Sequence, residues 1–309
     1  MSKKIILVIL IAIIMTFPAL LSSCQFNILT EEGEYRITNV KIFKDTPVWE
    51  LALAVKGQKT RTIEKIAKEN PDLLNYQESK YGATLLLWAV GMEKYKSAEA
   101  LLKCGADPNI ASTVDGKTPL YLAAGFSWVD NYAKKDPKFV KLLLKYNADP
   151  NINYGGDRII EPGTSPLMRT IRCGIEKTKA LVEAGADINY KTKSGATAAI
   201  KALSAGQNAT LEGLEYAHYL IVDKKAKVTD PYYPWMVYEG DTIQELFPVD
   251  ILRRWVCPLD SEEYRIKMEI VEEFARQGVN YWDTEINKST LEQIKKLYPD
   301  TWEEYIKKY

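Results

Sequence analysis

Histidine occurs once in this 309-residue chain and cysteine four times, too few for a multi-histidine metal centre or a dense disulfide scaffold. Neither sign of charge is in excess: 41 Lys and Arg face 41 Asp and Glu, which argues against bulk attraction to nucleic acid or acidic lipid. No phosphate-cradling loop is present, because Gly155-Gly156-Asp157 is a turn without the flanking strand and helix signature. No Ser or Cys sits in a nucleophile signature with the lone His218, which is expected as a packed or half-exposed structural residue. The paired carboxylates Glu262/Glu263, Glu272/Glu273 and Glu303/Glu304 lie in helical patterns rich in Lys and Arg and read as solvated faces. The basic run Lys224, Lys225, Lys227 is bracketed by Asp223 and Asp230 and reads the same way. What is abundant is aromatic: 19 Tyr and 7 Trp. With 46% hydrophobic and 27% charged residues, the composition is globular, and the length allows one or two domains.

The only long apolar run, Ile5–Met15, follows Lys3 and Lys4 and is shorter than the roughly 20 residues a membrane-spanning helix needs. Leu21-Ser22-Ser23-Cys24 then resembles the bacterial lipobox. That resemblance implies a signal peptide over 1–23, acylation of Cys24 and attachment to a membrane. Gln25, where the family's inner-membrane retention signal is usually Asp, points to the outer membrane, with the body expected in the periplasm. Loss of residues 1–23 removes Lys3 and Lys4 and leaves a net charge of −2. Cys104, Cys173 and Cys257 then remain, read as small buried apolar side chains with any pairing left open.

One phrase recurs along the body: Lys103-Cys-Gly-Ala-Asp-Pro-Asn109, Lys145-Tyr-Asn-Ala-Asp-Pro-Asn151 and Glu183-Ala-Gly-Ala-Asp-Ile-Asn189, with degenerate copies ending at Asn75 and Asn280. The positions Asn75, Asn109, Asn151 and Asn189 are 34, 42 and 38 residues apart. A second phrase precedes the clear copies: Gly82-Ala-Thr-Leu-Leu-Leu-Trp-Ala89, Gly116-Lys-Thr-Pro-Leu-Tyr-Leu-Ala-Ala124 and Gly163-Thr-Ser-Pro-Leu-Met168, with a weaker one at Gly195-Ala-Thr-Ala-Ala199. In one unit, Asp115-Gly116 makes a tight turn, Thr118 caps a helix beginning at Pro119, and Gly125 ends it. A second helix starts near Pro137 with Phe139, Val140 and Leu142 to Leu144 buried, and Asn147 takes the left-handed C-cap place of Gly105 and Gly185.

These phrases resemble the ankyrin repeat. The resemblance implies an all-α solenoid of about six helix-turn-helix units over 46–285, after a lipidated tether at 24–45 and before capping helices at 286–309. Clear units fall near 82–110, 116–152 and 163–190, degenerate ones at 47–76, 195–229 and 247–282. The family's histidine after T-P-L is absent, with Trp88, Tyr121 and Met168 near its place, so bulkier apolar packing between repeats is expected. In the cap, Ser289-Thr-Leu-Glu292 reads as a capping box and Asp300-Thr-Trp-Glu303 as a second helix start.

Insertions distinguish this array: Phe126–Asp136, Ile152–Gly163, Ser204–Glu212 and the aromatic Asp230–Gly240. In solenoids such insertions tend to gather on a binding face, and Tyr and Trp dominate hot spots. Trp128, Tyr132, Tyr154, Tyr232, Tyr233, Trp235 and Tyr238 are therefore the partner-binding candidates; the alternative is that they fold back over irregular repeats. The expected function is a lipid-anchored envelope protein that binds a protein partner through fingers and inner-helix groove, in a narrower version as an immunity or accessory protein. It is expected to be a monomer, without metal, cofactor or nucleic acid. A structural envelope role or an enzyme with an unrecognised site is the competing reading.

Overall fold

The threonine or serine of each Gly-x-Thr/Ser phrase caps a helix. Thr84, Thr118, Ser165 and Thr197 have extended backbones, and each hydroxyl accepts from the amide three residues on, in Leu87, Tyr121, Met168 and Ile200, at 3.1–3.2 Å. These caps open the inner helices of a solenoid. The computed structural model describes residues 35–156, 160–208, 210–235 and 244–309. The expected signal peptide over 1–23 and Cys24 lie outside the described residues.

Six helix pairs follow in order: α1 (Trp49–Lys56) with α2 (Thr60–Glu69), α3 (Leu85–Gly91) with α4 (Tyr95–Lys103), α5 (Pro119–Ala124) with α6 (Lys138–Lys145), α7 (Pro166–Thr170) with α8 (Ile175–Glu183), α9 (Ala198–Ala205) with α10 (Leu211–Ala217), and α11 (Pro248–Leu252) with α12 (Glu262–Arg276). The outer helix α10 runs on through one π-helical turn, His218–Asp223. Two cap helices close the array, α13 (Lys288–Leu297) and α14 (Trp302–Lys308). One apolar core runs from Val40 to Tyr281 through all six pairs, and Ile294, Tyr305 and Tyr309 form a second cluster under the cap. Among the described residues there are only two isolated β-bridges, Phe126 with Ala133 and Tyr232 with Leu246.

The recurring Asp and Asn form a ladder between repeats. Within each phrase the aspartate folds back on its own turn: Asp107, Asp149 and Asp187 accept from the amides of Asn109, Asn151 and Asn189 at 2.8–2.9 Å. Each asparagine then reaches the next unit. Asn75, Asn109, Asn151 and Asn189 accept from the amides of Asp107, Asp149, Asp187 and Lys227 at 2.7–2.9 Å. Asn109 and Asn151 also donate to the carbonyls of Asn147 and Gly185. The repeat period is thus the spacing of an interlocking hydrogen-bond chain. Asn151→Ala removes two of these bonds and is expected to lower the unfolding free energy by about 1–2 kcal/mol; urea titration checks this.

Trp88, Tyr121 and Met168, at the place of the family's histidine, are buried. The expected apolar packing is found, and it leaves the indole N–H of Trp88 and the hydroxyl of Tyr121 shielded from water, without hydrogen-bond partners among the described residues.

Four sequence expectations need correction. The tether expected to reach residue 45 is folded against the first pair from Asn39 on, with Val40 and Phe43 in the core. The α13 cap is Asn287, whose Oδ1 accepts from the Thr290 amide at 2.9 Å; its extended backbone starts the helix two residues before the expected Ser289 box. At α14 the cap position is Thr301, one residue after Asp300, with no side-chain bond. Glu273 is not on a solvated face: it is buried and paired with Lys225 at 2.7 Å and Arg276 at 3.0 Å, because α12 packs this side against the preceding unit.

The buried lysine at the cap was not legible in advance. Lys267 is fully buried, its Nζ donating to the Trp255 carbonyl at 2.8 Å and lying 3.7 Å from the Tyr309 ring centroid. Burial pushes its pKa well below the usual lysine value, and the nearby Arg253 adds to this. The folded state therefore releases this proton at lower pH than the unfolded chain, so stability rises with pH across the window between the two values. The expected result is that the unfolding free energy of wild type rises relative to Lys267→Met from pH 7 to 9.5; a pH-independent difference contradicts it.

Candidate functional site

The most aromatic finger, residues 228–247, is fastened at its base. Asp230 is ion-paired with Lys191 of the preceding finger and with Lys227 at 2.8 Å. These two lysines hold its carboxyl at a pKa of about 2. Tyr232 and Leu246 exchange backbone hydrogen bonds at 2.9 and 3.0 Å, and the Tyr233 amide donates to the Ser194 carbonyl at 2.8 Å. Gly195 sits beneath this base with φ of +83°, and a Cβ there would come within 2.8 Å of the Pro231 carbonyl, so the two fingers close only over glycine.

Above this base the candidates divide. Tyr233 and Trp235 are 40% and 39% exposed, and Phe247 on the returning limb is 39% exposed. Tyr233 donates its hydroxyl to Glu245 at 2.8 Å, which sets its orientation across the finger. Tyr232 is half-buried and packs on the core. Tyr238 lies outside the described residues.

The other candidates separate in the same way. Tyr154 is buried, 5% exposed, and stacks on Tyr121 with centroids 5.5 Å apart. It holds the 152–163 finger to an inner helix and is not available to a partner. Trp128 is half-buried with its amide on the Gly91 carbonyl at 3.3 Å; its ring lies where a side chain at Gly91 would go. It joins two repeats. Tyr132 is 72% exposed, beside the Phe126–Ala133 bridge that closes a small hairpin, with its carbonyl accepting from the Ser127 amide at 3.1 Å. Phe126 and Val129 are exposed on the same hairpin. The hairpin links α5 to α6, the helix–helix turn side, so Tyr132 does not belong to one surface with Tyr233 and Trp235. Exposed Phe247, Phe126 and Val129 were missed by the sequence reading, which weighed only Tyr and Trp.

Chemical side chains are tied up. His218 meets Glu269 at 2.6 Å, and Glu269 is also paired with Arg265. Cys104, Cys173 and Cys257 are free thiols, and burial raises all three pKa values, that of Cys257 to about 11. They are held as thiols, not thiolates. Among the described residues no group of three His, Cys, Asp or Glu comes together, and no helix is long and apolar enough to cross a membrane.

Residues 51–154 match the family described as ankyrin repeats (3 copies). The chain folds as an ankyrin-repeat solenoid. The array is similar to ankyrin repeat and SOCS box protein 6 of Homo sapiens, 28% identical over 171 residues, which are 54% of this chain and 35% of that protein. It is similar to Protein PhlB of Serratia liquefaciens, 34% identical over 148 residues, 48% of this chain and 58% of that one. The solved ankyrin repeat protein EF0377 aligns at 20% identity with a TM-score of 0.49, over 74% of this chain and 98% of that chain. The aligned part spans about a third of the length of the SOCS box relative. An ankyrin array implies protein–protein interaction, and its fingers are the elements that carry Tyr233 and Trp235 here.

Proposed function

We propose that this chain is an envelope protein, anchored by acyl chains on Cys24, whose ankyrin array binds a partner protein through the 228–247 finger and the adjoining inner-helix groove. The observation that carries the reading is the pairing of exposed Tyr233 and Trp235 with a finger base locked by Asp230, Gly195 and the Tyr232–Leu246 bridge. Amphipathic rings on a rigid support lose little entropy on binding, which is what an interface anchor requires. A narrower form of the proposal is an immunity or accessory role, in which the anchored array captures a secreted toxin or lipase at the envelope. No cofactor enters it, and the protonated thiols and the carboxylate-bound His218 favour a binding role over catalysis.

Two experiments test the two halves. Cys24→Ser is expected to move the protein from the membrane fraction to the soluble fraction after cell breakage; continued membrane association overturns the lipid anchor. For the binding half, the Tyr233→Ala/Trp235→Ala variant is compared with wild type in affinity capture from the envelope.

A further inference from the structure

We propose that the cavity between the α9–α10 turn, the α11–α12 connection and α13 binds a small anionic molecule, with Arg254 holding its carboxylate or phosphate group. This site is independent of the finger-based reading, since it is built on the helix–helix turn side of the array.

The cavity is about 540 Å³ in volume and is lined by Gln207, Arg254, Asn287, Ser289 and Gln293, with Val256 on its wall. That is within the size range of small-molecule sites. Its lining has one full charge, the Arg254 guanidinium, and no carboxylate. Among the described residues Arg254 makes no ion pair, and its Nε is shielded from water without an acceptor. On the neighbouring α12, by contrast, Arg265 is paired with Glu262 and Glu269, and Arg276 with Glu272 and Glu273. An unpaired guanidinium on a lining without carboxylates can receive an oxyanion through the N–H groups that face the cavity, and a bidentate oxyanion fits a guanidinium better than any neutral acceptor.

The remaining lining groups are amides and hydroxyls, able to donate to a ligand's oxygens. The Asn287 oxygen is already engaged by the Thr290 amide, so its free capacity is as a donor. The backbone that carries Arg254 is fixed on both sides. Arg253 donates to the carbonyls of Tyr309 at 2.5 Å and Thr284 at 3.1 Å, and Trp255 donates to that of Leu203 at 3.0 Å. Little ordering of the chain is needed for the guanidinium to receive a ligand.

The test uses the full chain and two probes, inorganic phosphate and citrate, titrated at constant ionic strength against sodium chloride, with calorimetry and melting temperature as readouts. The expected result is saturable binding of at least one probe, weakened at least tenfold by Arg254→Gln and less by Arg254→Lys, while the anion-free melting temperature stays within about 2 °C. Saturation by phosphate alone assigns the site to phosphate esters, and saturation by citrate alone to carboxylates. If Arg254→Gln does not fold, Gln293→Leu, which leaves the guanidinium in place, is expected to weaken binding at least threefold. Failure of both probes to saturate, or equal binding by wild type and both variants, overturns the site.

Discussion

Replacing Trp255 by alanine is expected to lower the unfolding free energy by about 3–5 kcal/mol. The indole is fully buried, its N–H donates to the Leu203 carbonyl at 3.0 Å, and its ring fills the space over Gly206, where a Cβ would lie 2.3 Å from Cζ2. It therefore joins the fifth helix pair to the sixth. The alanine variant loses the transfer free energy, leaves a cavity and strands the Leu203 carbonyl. Against a typical stability of about 5–15 kcal/mol that is a large fraction. A solenoid is held by nearest-neighbour interfaces, so the loss is expected as an early transition of the C-terminal units in urea titration. Trp255→Phe restores the ring volume in part and is expected to cost less. A loss under 1 kcal/mol for the alanine variant contradicts the assignment of Trp255 as the joint.

The second large effect is on binding. Tyr233→Ala combined with Trp235→Ala is expected to weaken partner affinity at least 100-fold, about 3 kcal/mol, with a melting temperature within about 2 °C of wild type. Both rings are substantially exposed, and the finger base beneath them depends on Asp230, Gly195 and backbone bonds that the substitutions leave intact. Tyr154→Ala is the control with the opposite signature. Its ring is buried and stacked on Tyr121, so stability falls and binding changes only as the fold does.

The repeat architecture was legible because its signals are local. A Thr or Ser cap, a proline at the first helical turn and a left-handed C-cap each act within four residues, and Asn147 adopts φ of +63° in the place of Gly105 and Gly185. The ladder explains why Asp and Asn recur together: one closes its own turn and the other reaches the next.

Side-chain direction on irregular segments was not legible. Tyrosine abundance pointed to a binding surface, yet Tyr121, Tyr154, Tyr216, Tyr281, Tyr305 and Tyr309 are buried. Several of them are fasteners. Tyr305 donates to the Cys257 carbonyl at 2.6 Å, Tyr309 donates to that of Arg253, and the Tyr216 hydroxyl accepts from the Gly174 amide at 2.8 Å. Local sequence does not say which way a finger tyrosine turns: Tyr154 turns inward because an inner-helix ring, Tyr121, stacks with it, and among the described residues no ring stacks with Tyr233. The Arg254 cavity was hidden for the same reason, since its lining comes from three separated segments.

The central claim is that the 228–247 finger recruits a protein partner, and crosslinked affinity capture from the native envelope tests it most directly. Wild-type protein and the Tyr233→Ala/Trp235→Ala variant, expressed at equal levels and both membrane-bound, are captured in parallel and their partners identified by mass spectrometry. The expected result is one protein recovered stoichiometrically with wild type and lost with the variant. Recovery of the same protein at the same level with both, or no protein enriched with wild type, contradicts the account.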